Sequence, residues 1–112
     1  MKIKDIELLI DRAVREKWTQ LALVLHPRPD LIAAGWPPKT IAILDAVVGE
    51  STSHKLVRSL VRAATLRELD FHALNVADRG ARAIAERLTG LTRLELGTSQ
   101  IGEAGARAIA ER

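Results

Sequence analysis

The sequence predicts an α/β solenoid in which parallel strands line a concave face, helices form the convex face and a capping helix opens the coil. Three observations predict it. The octapeptide Gly-Ala-Arg-Ala-Ile-Ala-Glu-Arg occurs twice, at 80–87 and at 105–112, an interval of 25 residues. The same interval carries Leu66, Leu69, Phe71 and Val76 onto Leu91, Leu94, Leu96 and Ile101. Within each interval a short strand-like run gives way to helical periodicity. A period of about 20 to 30 residues with this leucine spacing marks units that bury their apolar faces only by stacking on one another.

The first element is a helix over about residues 4–17. Ile3, Ile6, Ile10, Ala13 and Val14 recur on one helical face, and Asp11 with Arg15 and Arg12 with Glu16 can pair along the other. The pattern then becomes period two at Thr19-Gln20-Leu21-Ala22-Leu23, which predicts a strand. Pro27, Pro29, Gly35, Pro37 and Pro38 punctuate the next loop, leaving room for one helical turn near Asp30 to Ala34.

Thr40 to Val48 fits two readings, a buried strand or a helix started by Pro38, because Ile41, Ile43, Leu44, Val47 and Val48 suit either. Register favours the strand, since Leu44-Asp45, Leu69-Asp70 and Leu94-Glu95 fall at equal intervals. Ser51-Thr52-Ser53 supplies N-cap residues for a helix over about 53–64, with Leu56, Val57, Leu60, Val61 and Ala64 inward. Later helices run from Asp78 to Thr89, closed by Gly90, and from Glu103 onward. The chain reads as one domain, with a cap over 1–18, irregular first repeats over 19–65 and two regular repeats over 66–112.

A chain of 112 residues can bury a core unaided, and with no cysteine it excludes thiolate zinc sites and any disulfide framework. No apolar stretch approaches the roughly 20 residues of a membrane helix, so a soluble cytoplasmic protein is expected. The net charge of +3 is uneven. Leu66 to Arg112 is neutral, and the basic excess lies before it. Three aromatic residues, Trp18, Trp36 and Phe71, provide no stacking platform for single-stranded nucleic acid.

Leu66-x-x-Leu69-x-Phe71 and Leu91-x-x-Leu94-x-Leu96, each followed by a helical half at 76–88 and 101–112, resemble leucine-rich repeats of the long, ribonuclease-inhibitor-like class. The chain departs from the family where an asparagine normally ties the turn, placing Leu74 and Ser99 there, with Asn75 one position later. Residues 7–23 are similar to the cap and first strand that open leucine-rich regions of bacterial multidomain GTPases, but a helix followed by Trp and a strand is what any solenoid needs to cover its first repeat, and the generic cap is the favoured reading. No Gly-rich phosphate loop accompanies them.

If the leucines point inward, the intervening strand residues line the concave face. Asp45, Asp70 and Glu95 would then stack as a row of like charge about 4.8 Å apart, either a surface for a basic partner or a solvated acidic row. Glu68 and Arg93 would be adjacent and pair, and His72 would lie beside them. Lys55, Arg58 and Arg62 form a basic stripe at helical spacing, either a docking face for an acidic partner or nucleic acid, or the wet side of an amphipathic helix. His26, His54 and His72 fit no metal spacing.

These features point away from catalysis and imply no cofactor. The expected function is protein binding through the concave face. The alternatives are a regulatory module of a GTPase or GTPase-activating protein, and nucleic-acid binding through the basic stripe. Arg112 matches Arg87 with no counterpart of Leu88, so the chain reads as a fragment of a longer repeat protein or one that self-associates through an open edge near Thr92 to Leu96.

Overall fold

The computed structural model describes residues 2–96. The second octapeptide copy, Gly97, Ser99, Ile101 and the helix expected from Glu103 lie outside the described residues. The elements follow the order α1 (Ile3–Arg15), β1 (Gln20–Val24), α2 (Pro29–Ala33), a 3-10 turn (Pro38–Thr40), β2 (Ile41–Ile43), α3 (Glu50–Leu60), β3 (Glu68–Phe71), α4 (Ala77–Arg87) and β4 (Arg93–Glu95). The strands form one open, parallel, four-stranded sheet in the order β2-β1-β3-β4.

The 25-residue interval becomes a strand pairing. Glu68, Leu69 and Asp70 stand opposite Arg93, Leu94 and Glu95 in β4. The ladder entry repeats as well: the backbone N–H groups of Arg67 and Glu68 both donate to Thr19 O, and those of Thr92 and Arg93 both donate to Arg67 O. Above this part of the sheet α1 packs on α3 and α3 on α4. Leu21, Leu23, Leu69 and Phe71 meet Ile6, Ile10, Leu56, Leu60 and Ile84 there in the main core. Fully burying one such side chain stabilises by about 1.5–3 kcal/mol. Helix α4 begins close above its own entry turn, and a methyl group at Gly80 would come within 2.7 Å of Val76 Cβ.

Residues 40–48 correct the expected register. Part of the segment is a strand, but β2 pairs with the outer side of β1, and β1 pairs directly with β3, Leu21 opposite Leu69. The chain then returns from the edge, and Val48 bridges to Leu74. Leu44 is buried as expected, yet its N–H donates to Val24 O, so it is no counterpart of Leu69 in the ladder. The cause lies in residues 25–40, whose Leu31 and Trp36 need an apolar surface. They find it on Ala22 and Val24, the face of β1 opposite the main core. Strand β1 is therefore buried on both faces, which a run of apolar residues suits.

Helix boundaries shift by small amounts elsewhere. Helix α3 starts at Glu50 behind Gly49, and the expected cap Ser53 is instead fully buried, donating through Oγ to Val48 O. Leu74 is buried where the leucine-rich family has its asparagine, and the turn there is held by Asn75 N–H donating to Val48 O.

Helix α1 is joined to the sheet by a tight turn. Trp18 N–H reaches back to Ala13 O and Lys17 N–H to Val14 O, the paired bonds of a left-handed helix stop, with Lys17 at φ 56°. Glu16 accepts from Arg12 Nε at 2.7 Å, Trp18 Nε1 at 3.0 Å and Lys39 Nζ at 3.2 Å, which links α1 to the 3-10 turn. Arg12 and Lys39 each stand 5.7 Å from the centre of the Trp18 ring.

Two outcomes test this joint. Lys17→Gly should stabilise the protein by up to about 1 kcal/mol in urea denaturation, because glycine carries no left-handed penalty, while its extra unfolded-state freedom offsets part of the gain. The Arg12 hydrogen bond, followed by that from Trp18, lowers the Glu16 pKa from 4.5 to about 2. A depressed carboxyl pKa contributes stability that is present above the unfolded value and lost as pH falls from about 4.5 to about 2. Glu16→Gln should flatten the melting-temperature profile across that window.

Candidate functional site

The sheet face opposite α1, α3 and α4 carries a cluster of charges assembled from three segments. Strand alternation puts Asp70 and His72 on this face, beside Ala22 and Val24 of β1 and beneath the loop that carries Trp36. Asp70 has no solvent exposure. A carboxylate at such a depth is tolerable only with counter-charges and hydrogen bonds at hand. Arg28, just beyond β1, places Nη1 3.1 Å from Asp70 Oδ2. Arg93 of β4 places Nη2 3.6 Å from the same oxygen, and His72 Nδ1 hydrogen-bonds Asp70 Oδ1. Although both guanidinium groups lie at ion-pair distance, Oδ2 has no aligned hydrogen bond.

A second tier holds the arginines. Arg28 donates through Nε at 3.0 Å and Nη2 at 2.9 Å to the two oxygens of Asp30, a bidentate pair in which the short α2 segment fixes the guanidinium plane. That hydrogen bonding, with Asp70 next in weight, raises the Arg28 pKa further above its ordinary value. The same Arg28 contact lowers the Asp30 pKa. The Arg93 guanidinium stands 5.7 Å from the centre of the buried Trp36 ring.

The expected acidic row does not form. Asp70 and Glu95 are register partners, but Asp70 has Ala22 on its other side, and Asp45 lies beyond the end of β2. Asp70 is a buried centre of positive neighbours, while Glu95 and Asp45 are exposed. Glu68 and Arg93 are opposed as expected without forming the expected pair: Glu68 accepts from Gln20 Nε2 at 2.9 Å, and Arg93 turns to Asp70. Strand β4 begins at Arg93, and its exposed side chains together with Glu68 and His72 define the accessible part of this face.

The basic stripe is present as exposed side chains of Lys55, Arg58 and Arg62 at α3 and the turn after it. Arg62 lies 3.7 Å from Asp11 of α1, so one of its charges bridges neighbouring helices. His54 hydrogen-bonds Val76 O at 3.0 Å, a packing role. Among the described residues no three acidic or histidine side chains converge as metal ligands, and no helix is long and apolar enough to cross a membrane.

Sequence reasoning missed Arg28, Asp30 and Trp36. Their signal was local: a charged pair, Arg28 and Asp30, in a proline-punctuated loop, and a tryptophan before two prolines. The charged groups border an open pocket of about 430 Å³, lined by Val24, Leu25, His26, Arg28 and His72. A separate groove of about 340 Å³ is lined by Pro27, Arg28, Pro29, Ile32, Pro38, Ile41 and Ile43.

Removing Arg28 tests the electrostatic account. Arg28→Met should cost about 1–3 kcal/mol in chemical denaturation, because Asp70 stays buried with less compensation. Arg28→Met combined with Asp70→Leu should cost less than the sum of the two single changes. Strict additivity would mean that the two residues do not support one another. Comparison with protein-family models, curated proteins and solved structures finds no match to this chain.

Proposed function

We propose that this chain is a protein-binding module of leucine-rich-repeat type and that it recognises its partner through the face of β3 and β4. The observation that carries the reading is the pairing of residues 25 apart in sequence on adjacent parallel strands, Glu68 with Arg93 and Asp70 with Glu95. Repetition at that interval places equivalent side chains in rows, the arrangement by which repeat proteins build extended recognition surfaces. Helices stacked on the opposite face leave this one for a partner.

The accessible groups suit recognition. Glu68, Arg93 and Glu95 are half-buried or exposed, with His72 at their margin. Arg93 is held against Asp70 and the Trp36 ring, so it loses little side-chain freedom when a partner arrives. Arginine set beside an aromatic residue on a desolvated carboxylate is the kind of anchor found at the energetic centre of protein interfaces. Lys55, Arg58 and Arg62 lie on another part of the molecule and take no part in this reading.

A photo-crosslinking residue at Glu95 should capture one partner from the source cell, identified by mass spectrometry. Purified partner should then bind the Glu68→Lys/Glu95→Lys variant at least about tenfold more weakly, with the melting curve unchanged. Equal affinity for the wild type and this variant would remove the face from consideration.

A further inference from the structure

We propose that the crevice between the carboxyl ends of β1 and β3 binds a small organic anion. His26, Arg28 and His72 would hold its charged head, and Val24 and Leu25 its apolar body. From its carboxyl end β1 leads to β2 over the face that carries Leu31 and Trp36, whereas β3 leads from its carboxyl end to α4 on the other face. Connections that diverge to opposite faces leave an opening at the strand ends, and open parallel sheets bind ligands there. The pocket at this place holds about 430 Å³, within the roughly 300–1,000 Å³ of small-molecule sites.

Its lining determines the ligand class. Every ionisable side chain that lines it is basic, whereas Val24 and Leu25 are apolar. Two acids adjoin this lining without being part of it: Asp70 is sealed beneath with no exposure, hydrogen-bonded by His72 and at ion-pair distance from Arg28, and Asp30 is turned onto the Arg28 guanidinium as its bidentate partner. Arg28 gives two of the five guanidinium N–H groups to Asp30 and stands at ion-pair distance from Asp70 without an aligned hydrogen bond, so further N–H groups remain for an oxyanion. His26 and Arg28 sit on a loop stiffened by Pro27 and Pro29, whose fixed φ angles limit the ordering that binding requires.

The test titrates the full chain with benzoate and, separately, with inorganic phosphate, following the histidine ring signals by NMR. Benzoate should shift His26 and His72 saturably and leave His54 in place. Phosphate, which has charge without an apolar body, should bind at least about tenfold more weakly. His26→Ala should weaken benzoate binding at least about tenfold at an unchanged melting temperature. Non-saturating shifts, equal movement of His54, or unchanged affinity in His26→Ala would overturn the site, and phosphate binding as tightly as benzoate would overturn the apolar component. Glu68→Lys/Glu95→Lys leaves every lining residue in place, so this inference and the protein-binding reading fail separately.

Discussion

The buried carboxylate of Asp70 is the constraint on which this end of the molecule depends. An ion at zero exposure loses several kcal/mol of hydration even after relaxation, and that loss is tolerable only if the surroundings supply opposite charge at short range. Arg28 and Arg93 do so from two other segments, and His72 adds a hydrogen bond. Asp70 therefore joins the loop after β1, the end of β3 and the start of β4. Pairs of this kind add little net stability over a well-packed apolar core. Their effect here is positional, because a shift of the loop or of β4 would strand a charge.

The apolar counterpart of that joint is Trp36. With Leu31 it covers Ala22 and Val24, sealing the second face of β1, and its ring also backs the Arg93 guanidinium. The loop of residues 25–40 has little regular structure of its own, only one short helix and a 3-10 turn. Its order comes from what it covers. This explains why β2 lies at the outer edge: the chain must clear the covering loop before it can pair, and the other side of β1 is already occupied by β3.

On the opposite face the physics is simpler. Helices α1, α3 and α4 lay their apolar stripes on the leucines of β1 and β3, and α1 is locked to β1 by the left-handed turn at Lys17 and by Glu16 holding Trp18. The two faces thus divide the work. One is a helix layer whose burial drives folding, and the other carries polar groups fixed by a few buried contacts.

Much of the helix layer was legible in the sequence. Apolar recurrence at Ile6, Ile10 and Ala13, and at Leu56, Val57 and Leu60, has a period that only a helix satisfies, and the octapeptide interval matches the β3–β4 pairing. These features are local or strictly periodic, so neighbouring residues suffice to determine them. What only the tertiary structure decided was the place of β2 and the fate of Asp70. Leu44-Asp45 and Leu69-Asp70 have the same local pattern, yet one aspartate is exposed and the other sealed. The difference is made by Arg28, Trp36 and Arg93, which lie far from Asp70 in the chain. Charge burial is set by whatever folds over a residue, and no spacing within its own strand records that.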